Sequence, residues 1–529
     1  MSTAVALPAA TGRTRTAARP AVLARLAAAA VVALAAALRL IDLGATPIDP
    51  FYAGAVGSMG LSWHNLLVGA YDPAARLAID KAPVDLWLQV ASTHLLGFTP
   101  TAMLLPAALA GTVTVAALYD LLHTLAGRGA ALAGALALAV LPMAVLTARS
   151  DTMDSVMAAL VVIAWAVAAR GLPRGRTGHL VAAGALLGLA FEVKLFEALL
   201  PALPLAALWW WGAGGTRTQR ARALLLAGAA CVGVGLAWLV AVTLLVPAGQ
   251  RPWAFGSANG SAWNSVFIYD GYKRLGGGTA HPGAHVPGAP GPLRLLSAQV
   301  HLGARLGFAL GAAWLALAGV AALGAWRRLD RVGRAGLAAL VLWLALGTLL
   351  FSAQHDLRPR YLEALDPAVA ACAGLGLALC VAALRGRALR AAAVAIACAL
   401  VLFGTTVSAR VIATHAQDSG TPGALAPGRL AALSTYLRAH QGGASNEAAF
   451  LPVAEAGGLI ARDARPVVML ASLRHPLVST AQLRDLVANG RVHTVVLGHA
   501  RTPLARWVRA HGTDVSAAAG QGARTVYGF

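Results

Sequence analysis

Charge is scarce in this chain, and lysine is almost missing. Only 12% of the residues are charged, and just three of the 42 basic ones are lysine: Lys81, Lys194 and Lys273. A soluble globular protein carries about 25% charged residues, so a one-domain water-soluble enzyme is excluded. Cysteine is equally sparse. Cys231, Cys372, Cys380 and Cys398 all lie inside apolar runs, with no C-x-x-C pair. Neither a zinc site nor a disulfide scaffold is indicated, and burial as small apolar side chains is expected.

What is present instead is apolar. Of 529 residues, 58% are hydrophobic, and the mean hydropathy is +0.68. The chain reads as an α-helical polytopic membrane protein. Its net charge of +21 could point to nucleic acid, but the arginines sit in short clusters between apolar runs, so no nucleic-acid partner is expected. About eleven spans can be placed: 21–41, 100–123, 130–148, 154–170, 179–193, 197–212, 223–246, 302–325, 335–352, 362–384 and 391–409. With residues 1–20 cytoplasmic, every alternate turn is arginine-rich, from Arg128 to Arg385, Arg387 and Arg390, as the positive-inside rule demands.

The acids follow the opposite rule. Of fifteen through residue 410, thirteen fall on the outer side in this register, as do all three lysines. Charges near membrane depth are costly and tend to be functional, so a polar site at the outer face is expected. The organisation that follows is a membrane domain (21–410) with long outer loops at 42–99 and 247–301, then an extracytoplasmic domain (411–529). The last segment alternates helices and strands, which implies a small parallel α/β domain. It contains neither a G-x-G-x-x-G nor a P-loop, so no nucleotide site is expected there.

Five strings carry candidate chemistry. TPIDPFYAGAV (Thr46–Val56) puts Asp49 just past the first span, as a general base or as the cap of a helix starting at Pro50. LAIDKAPVDLWLQ (Leu77–Gln89) puts Lys81 beside Asp80, as a phosphate ligand or a surface ion pair. ARSDTMDSVM (Ala148–Met157) sets Asp151 and Asp154 three apart, hence on one helical face. They could hold a metal or a general base, or Asp151 could cap a helix with Asp154 in its first turn. FEVKLFEALLPALP (Phe191–Pro204) places Lys194 near Glu192 and Glu197, for phosphate or for pairing. QHDLRPRYLEAL (Gln354–Leu365) offers Arg358 and Arg360 as a bidentate phosphate clamp or as lipid-headgroup contacts.

Together these strings resemble the GT-C membrane glycosyltransferases, and most closely bacterial glycosyltransferase family 39, the dolichyl-phosphate-mannose–protein mannosyltransferase-like proteins. The lipid A aminoarabinose transferases are more distant relatives. FYAGAV resembles the branch's FYAAAV, with Asp49 where Asn is frequent. DKAPVDLW resembles DKPPxxLW, with Ala82 for Pro. RSDTMD resembles R-x-N-N-x-D, so Asp154 matches the recurrent acid. Gly260–Gly278 resembles a loop with Tyr-Asn-Gly and a following Arg, here Tyr269, Asp270, Gly271 and Arg274. PVVMLASL and TAQLRDLVANGRVHTVVLG resemble the branch's outer C-terminal domain.

The resemblance implies sugar transfer at the outer face of the plasma membrane, from a polyprenyl-phosphate-linked monosaccharide to an envelope polymer, lipid or protein. Asp49 would be the catalytic base, with Asp154 and Asp151 supporting it. Asp49 and Asp154 would hold a divalent cation such as Mg or Mn where one is used. Lys81, Lys194, Arg358 and Arg360 would hold the donor phosphate, and Tyr52, Tyr269, Asp270 and Arg274 would line the substrate site. A transporter, flippase or non-catalytic scaffold for lipid-linked sugars is the competing reading. The almost charge-free span centres weigh against a transporter, whose polar groups sit at the midplane.

Overall fold

The computed structural model describes residues 15–273, 290–296, 307–355, 357–418, 421, 423–473 and 475–529. Among these residues, seven helices are long and apolar enough to cross a bilayer, and nine spans result if each of two bent helix pairs counts as one. They include α1 (Arg15–Leu40), α5 (Pro100–Ala126), α8 (Asp154–Gly171) and α9 (Thr177–Lys194). Shorter helices occupy the first long loop: α2 (Pro50–Met59), α3 (Trp63–Val68) and α4 (Val84–Leu96).

The two bends have sequence causes. α6 (Arg128–Ala139) and α7 (Pro142–Ala148) meet at 59°. Pro142 lacks an N–H and its ring clashes with the preceding turn, which frees the last carbonyls of α6. Arg39, buried in the last turn of α1, donates to two of them, Leu138 (3.3 Å) and Ala139 (3.0 Å). Arg149, just past α7, returns the favour at the end of α1 by donating to the carbonyls of Arg39, Ile41 and Asp42. Backbone groups freed within a membrane protein must find such partners. The second pair, α11 (Arg217–Gly235) and α12 (Ala237–Leu245), bends by 45°, and there the Trp238 N–H donates to the buried Glu192 carboxylate (2.6 Å).

Two of the eleven expected spans come out differently. The one at 197–212 is a 3-10 turn followed by α10 (Ala202–Gly212). At 1.5 Å per residue such a helix reaches about 16 Å, roughly half the hydrocarbon core. Of 302–325, the described part is a helix of 15 residues, Phe308–Ala322. The cysteines also divide: Cys372 is buried, Cys231 and Cys380 are half-buried, and Cys398 is exposed on the face of Arg387–Ala413.

Close approach sets the packing of the bundle. A Cβ at Gly374 would lie 2.2 Å from the Gly134 nitrogen, so α6 and the helix Asp366–Ala383 touch backbone to backbone. Small residues permit this where no hydrophobic gain separates helix from lipid.

The C-terminal domain holds a five-stranded sheet in the order β4-β3-β7-β9-β8, where β3 is Ala449–Phe450, β4 Val468–Met469, β7 Thr494–Val496, β8 Thr513–Asp514 and β9 Val526–Gly528. β4, β3 and β7 run parallel, but β9 is antiparallel to both neighbours. The sheet is therefore mixed rather than parallel, because the short β8 returns directly through a turn to β9. The domain leans on both long loops. Its helix Val453–Asp463 lies on α2, where a Cβ at Gly54 would be 2.7 Å from the Gly457 Cα. The Tyr71 hydroxyl donates to the Val453 carbonyl (2.5 Å). Its hairpin β5–β6 (Ala471–Ser472, His475–Pro476) reaches the second loop, where His475 stacks on Trp253 at 4.1 Å. The loops are themselves joined: β1 (Leu77–Ala78) pairs in parallel with β2 (Trp253–Ala254).

Candidate active site

Asp49 opens α2. Pro50 supplies the preset φ of a first helical residue, and the Phe51 N–H donates to Asp49 Oδ1 (2.8 Å). The capping role anticipated as an alternative is thus present, and it leaves the rest of the carboxylate available. Thr421, 372 residues later, takes it up. Its N–H donates to Oδ2 (2.8 Å), and its hydroxyl lies 2.7 and 2.8 Å from the two oxygens. Asp49 is only 3% exposed. Burial pushes its carboxyl above the ordinary range, while the Thr421 and Phe51 hydrogen bonds and the Arg360 charge pull it back.

Asp151 lies behind this group. Its Oδ2 accepts the Asp49 backbone N–H (3.0 Å), and its Oδ1 accepts from Gln89 Nε2 (3.2 Å). The same amide nitrogen donates to Asp85 Oδ2 (3.0 Å). All three side chains are buried. Burial, with Asp49 adding repulsion, holds the Asp151 carboxyl well above its usual range. Burial lifts Asp85 to about 7. Asp151 therefore fixes the backbone of Asp49.

Asp154 does not share a face with Asp151. Helix α8 begins at Asp154 itself, so Asp151 precedes the helix and caps nothing. Asp154 is fully buried and ion-paired with Lys194. Lys194 ends α9, where a cation suits the helix dipole; it lies 3.5 Å from Glu197 and over the Tyr361 ring.

Lys81 pairs with Asp80, and both are about nine-tenths buried. Burial alone would lower its ammonium, but Asp80, Tyr52 and Asp270 outweigh that and keep it protonated. The Tyr52 ring lies 5.9 Å from its Nζ. Tyr52 is a meeting point: Lys81, Arg360 and Asp49 all act electrostatically on its phenol. Arg360 donates its backbone N–H to Asp418 Oδ2 (2.6 Å) and its guanidinium to the Asp418 carbonyl (2.7 Å). Arg358 is half-buried at the start of the 3-10 turn Pro359–Ala364. Tyr269 is a packing residue: it is buried, sits over Gly256 and meets Phe255 edge-on. Asp270 reaches the site through its field on Lys81, and Arg274 lies outside the described residues.

Among the described residues, no three His, Cys, Asp or Glu side chains gather where they could hold one metal ion. Asp49 faces Thr421 and Asp154 faces Lys194, so the pair expected to share a cation is turned to separate partners. Sequence reasoning gave no role to Gln89, Asp85, Asp418 or Thr421. Asp85 and Gln89 are four apart on α4, a spacing that signals a shared face. Thr421 carries no such signal.

Comparison with known proteins sharpens the picture. Residues 80–240 match the family described as dolichyl-phosphate-mannose-protein mannosyltransferase. That stretch contains Lys81, Asp85, Gln89, Asp151, Asp154 and Lys194. Two Bacillus subtilis proteins named as mannosyltransferases, YycA and YkcB, are 32% and 31% identical over 232 and 242 residues, or 44% and 45% of this chain. The chain spans about a third of the length of these curated relatives (34% and 33%). Among solved structures, ArnT from Cupriavidus metallidurans bound to undecaprenyl phosphate aligns over 97% of this chain and 98% of its own, with a TM-score of 0.56 at 17% identity. The oligosaccharyltransferase AglB from Archaeoglobus fulgidus, in complex with an inhibitory peptide and a dolichol-phosphate, aligns over 90% and 70%, with a TM-score of 0.57 at 12% identity. Identities this low speak to the fold alone: the chain shares the fold of ArnT and AglB, and its residues 80–240 resemble the mannosyltransferase family.

Proposed function

We propose that the chain is a membrane glycosyltransferase. It would move a monosaccharide from a polyprenyl-phosphate donor to a cell-envelope acceptor at the outer face of the membrane, with its N-terminus cytoplasmic and its C-terminal domain outside. The observation that carries this reading is the grouping around Tyr52: a buried carboxylate, Asp49, a buried cation, Lys81, and a half-buried one, Arg360. The undecaprenyl phosphate in the ArnT structure supports the donor class.

In this reading the acceptor oxygen attacks the anomeric carbon while Asp49 takes its proton. The bond from that carbon to the phosphate oxygen breaks, and polyprenyl phosphate leaves with the electron pair. Lys81 and Arg360 stabilise the charge that develops on it, which is the largest contribution such a site offers. Asp151 holds the Asp49 backbone, and the Asp154–Lys194 pair positions the start of α8.

The test uses the full chain in lipid with a panel of radiolabelled polyprenyl-phosphate sugars, with and without Mg or Mn, and water or crude envelope as acceptor. Transfer or hydrolysis by wild type, lost in Asp49→Asn and reduced in Lys81→Ala, is the expected result. Donor binding without turnover, undiminished in Asp49→Asn, would replace the reading with a carrier or scaffold of lipid-linked sugars.

A further inference from the structure

The strap between the helix Arg387–Ala413 and the C-terminal domain meets the site at its described residues. Two of its described residues are fastened there. The Asp418 N–H donates to Ser150 Oγ (2.9 Å), beside Asp151, and Asp418 accepts both the backbone and guanidinium donors of Arg360. Three residues on, Thr421 gives its N–H and its hydroxyl to Asp49. The strap therefore engages the proposed base and one of the proposed phosphate-side cations together.

The contact with Asp49 has a particular chemical form. A secondary alcohol, O–H toward the carboxylate, lies 2.7 and 2.8 Å from its two oxygens. A general base needs that placement toward the hydroxyl it deprotonates, about 2.6–3.2 Å. With Phe51 N–H and Thr421 N–H also in place, the carboxylate accepts from three donors. Asp49 is only 3% exposed, so a second alcohol reaches the base by displacing the first.

We infer that Thr421 is a resident stand-in for the acceptor: its hydroxyl occupies the acceptor-hydroxyl subsite of Asp49, and an incoming alcohol binds in competition with it. This inference rests on the transferase reading, with Asp49 as base. Seated, the strap also keeps water off the base, so the donor is not hydrolysed while no acceptor is bound. Loss of one hydrogen bond to a charged group weakens the strap by about tenfold. A residue that merely anchors the linker behaves in the opposite way, since its removal would loosen Asp49 and slow every reaction.

The experiment compares wild type with Thr421→Val, which keeps the shape without the hydroxyl, and Thr421→Ser, which restores the hydroxyl. Each full chain is assayed in lipid with the polyprenyl-phosphate sugar that wild type accepts, using water and then increasing glycerol as acceptor. The expected result is a KM for glycerol about tenfold lower in Thr421→Val, with faster hydrolysis by water, and reversal of most of the change in Thr421→Ser. Thr421→Ala serves the same purpose where the valine variant does not fold. Amide exchange of the peptide holding Thr421, measured without donor, is expected to be slow in wild type and faster in Asp49→Ala. A wild type that turns over donor, with a Thr421→Val whose KM is unchanged or raised, overturns this inference alone. So does exchange equally fast in wild type and Asp49→Ala. A wild type that turns over no donor overturns the transferase reading, and this inference with it.

Discussion

Arg39 and Arg149 cap each other's helices. Arg39, on α1, donates to carbonyls at the end of α6, and Arg149, past α7, donates to the carbonyl of Arg39 itself (3.1 Å) and to two beyond it. The exchange ties the end of the first span, from which the chain runs to Asp49, to the turn that carries Asp151. Two strands of sequence about a hundred residues apart thereby deliver the two carboxyls to one place.

Replacing Arg149 by Lys keeps the charge and loses the fork. A compact ammonium cannot serve carbonyls of Arg39, Ile41 and Asp42 together, so buried acceptors go unpaired. The expected loss of stability is about 1–3 kcal/mol, read as a lower thermal midpoint in detergent, together with reduced activity. An unchanged midpoint would show that the capping exchange contributes little.

Asp151→Asn keeps an oxygen for the Asp49 N–H, whereas Asp151→Ala removes it. The alanine variant is expected to lose roughly five- to a hundredfold more activity, following the cost of an unpaired buried N–H. Equal losses in the two variants would argue that the charge of Asp151, rather than its grip on the backbone, is what matters.

Asp85 gives the fold a pH dependence. Its folded carboxyl lies at about 7, against an ordinary value of 3.8, chiefly through burial. The folded chain thus holds a proton that the unfolded chain releases between those values, and stability must fall as pH rises from about 4 to about 7. Asp85→Asn, which titrates nothing, should flatten that slope by up to about 4 kcal/mol across the window. Thermal midpoints of the two proteins between those pH values decide the matter; parallel curves would remove Asp85 from the account.

Gly54→Ala places a methyl 2.7 Å from the Gly457 Cα. Neither backbone can yield without parting α2 from the helix Val453–Asp463, so a loss of about 1–3 kcal/mol is expected. The C-terminal domain should also become easier to clip off by limited proteolysis. Gly458→Ala, whose Cβ has ordinary contacts with Leu430 at 3.4–3.5 Å, is the matched control.

Much of this architecture is visible in the sequence, for identifiable reasons. The charge-poor runs give the spans, and the strings around Asp49, Lys81 and Asp154 are local, so their order survives reading by eye. The alternation of helices and strands expected in 411–529 is there as well, beginning with the helix Pro427–His440. What escapes is of two kinds. One is the fate of two neighbouring carboxyls: the span expected at 154–170 starts where α8 does, yet Asp151 lies in the turn before it and takes a different partner from Asp154. The other is distance along the chain. Nothing near Thr421 announces a hydrogen bond to a residue 372 positions earlier, and the two-residue strands β5, β6 and β8 are too short to leave a pattern.

That long separation has a consequence for biosynthesis. A nascent chain inserts α1 and exposes Asp49 long before Thr421 leaves the ribosome. Until then Asp49 has only the Phe51 N–H of its three donors, and α2 has no helix from the C-terminal domain to lie on. The surroundings of Asp49 are thus finished late, by residues translated after the helix Arg387–Ala413. A truncated or half-inserted copy carries the same carboxylate without the groups that seat it. Synthesis of the segment that carries Thr421, rather than insertion of the membrane domain, marks the moment at which the site acquires its form.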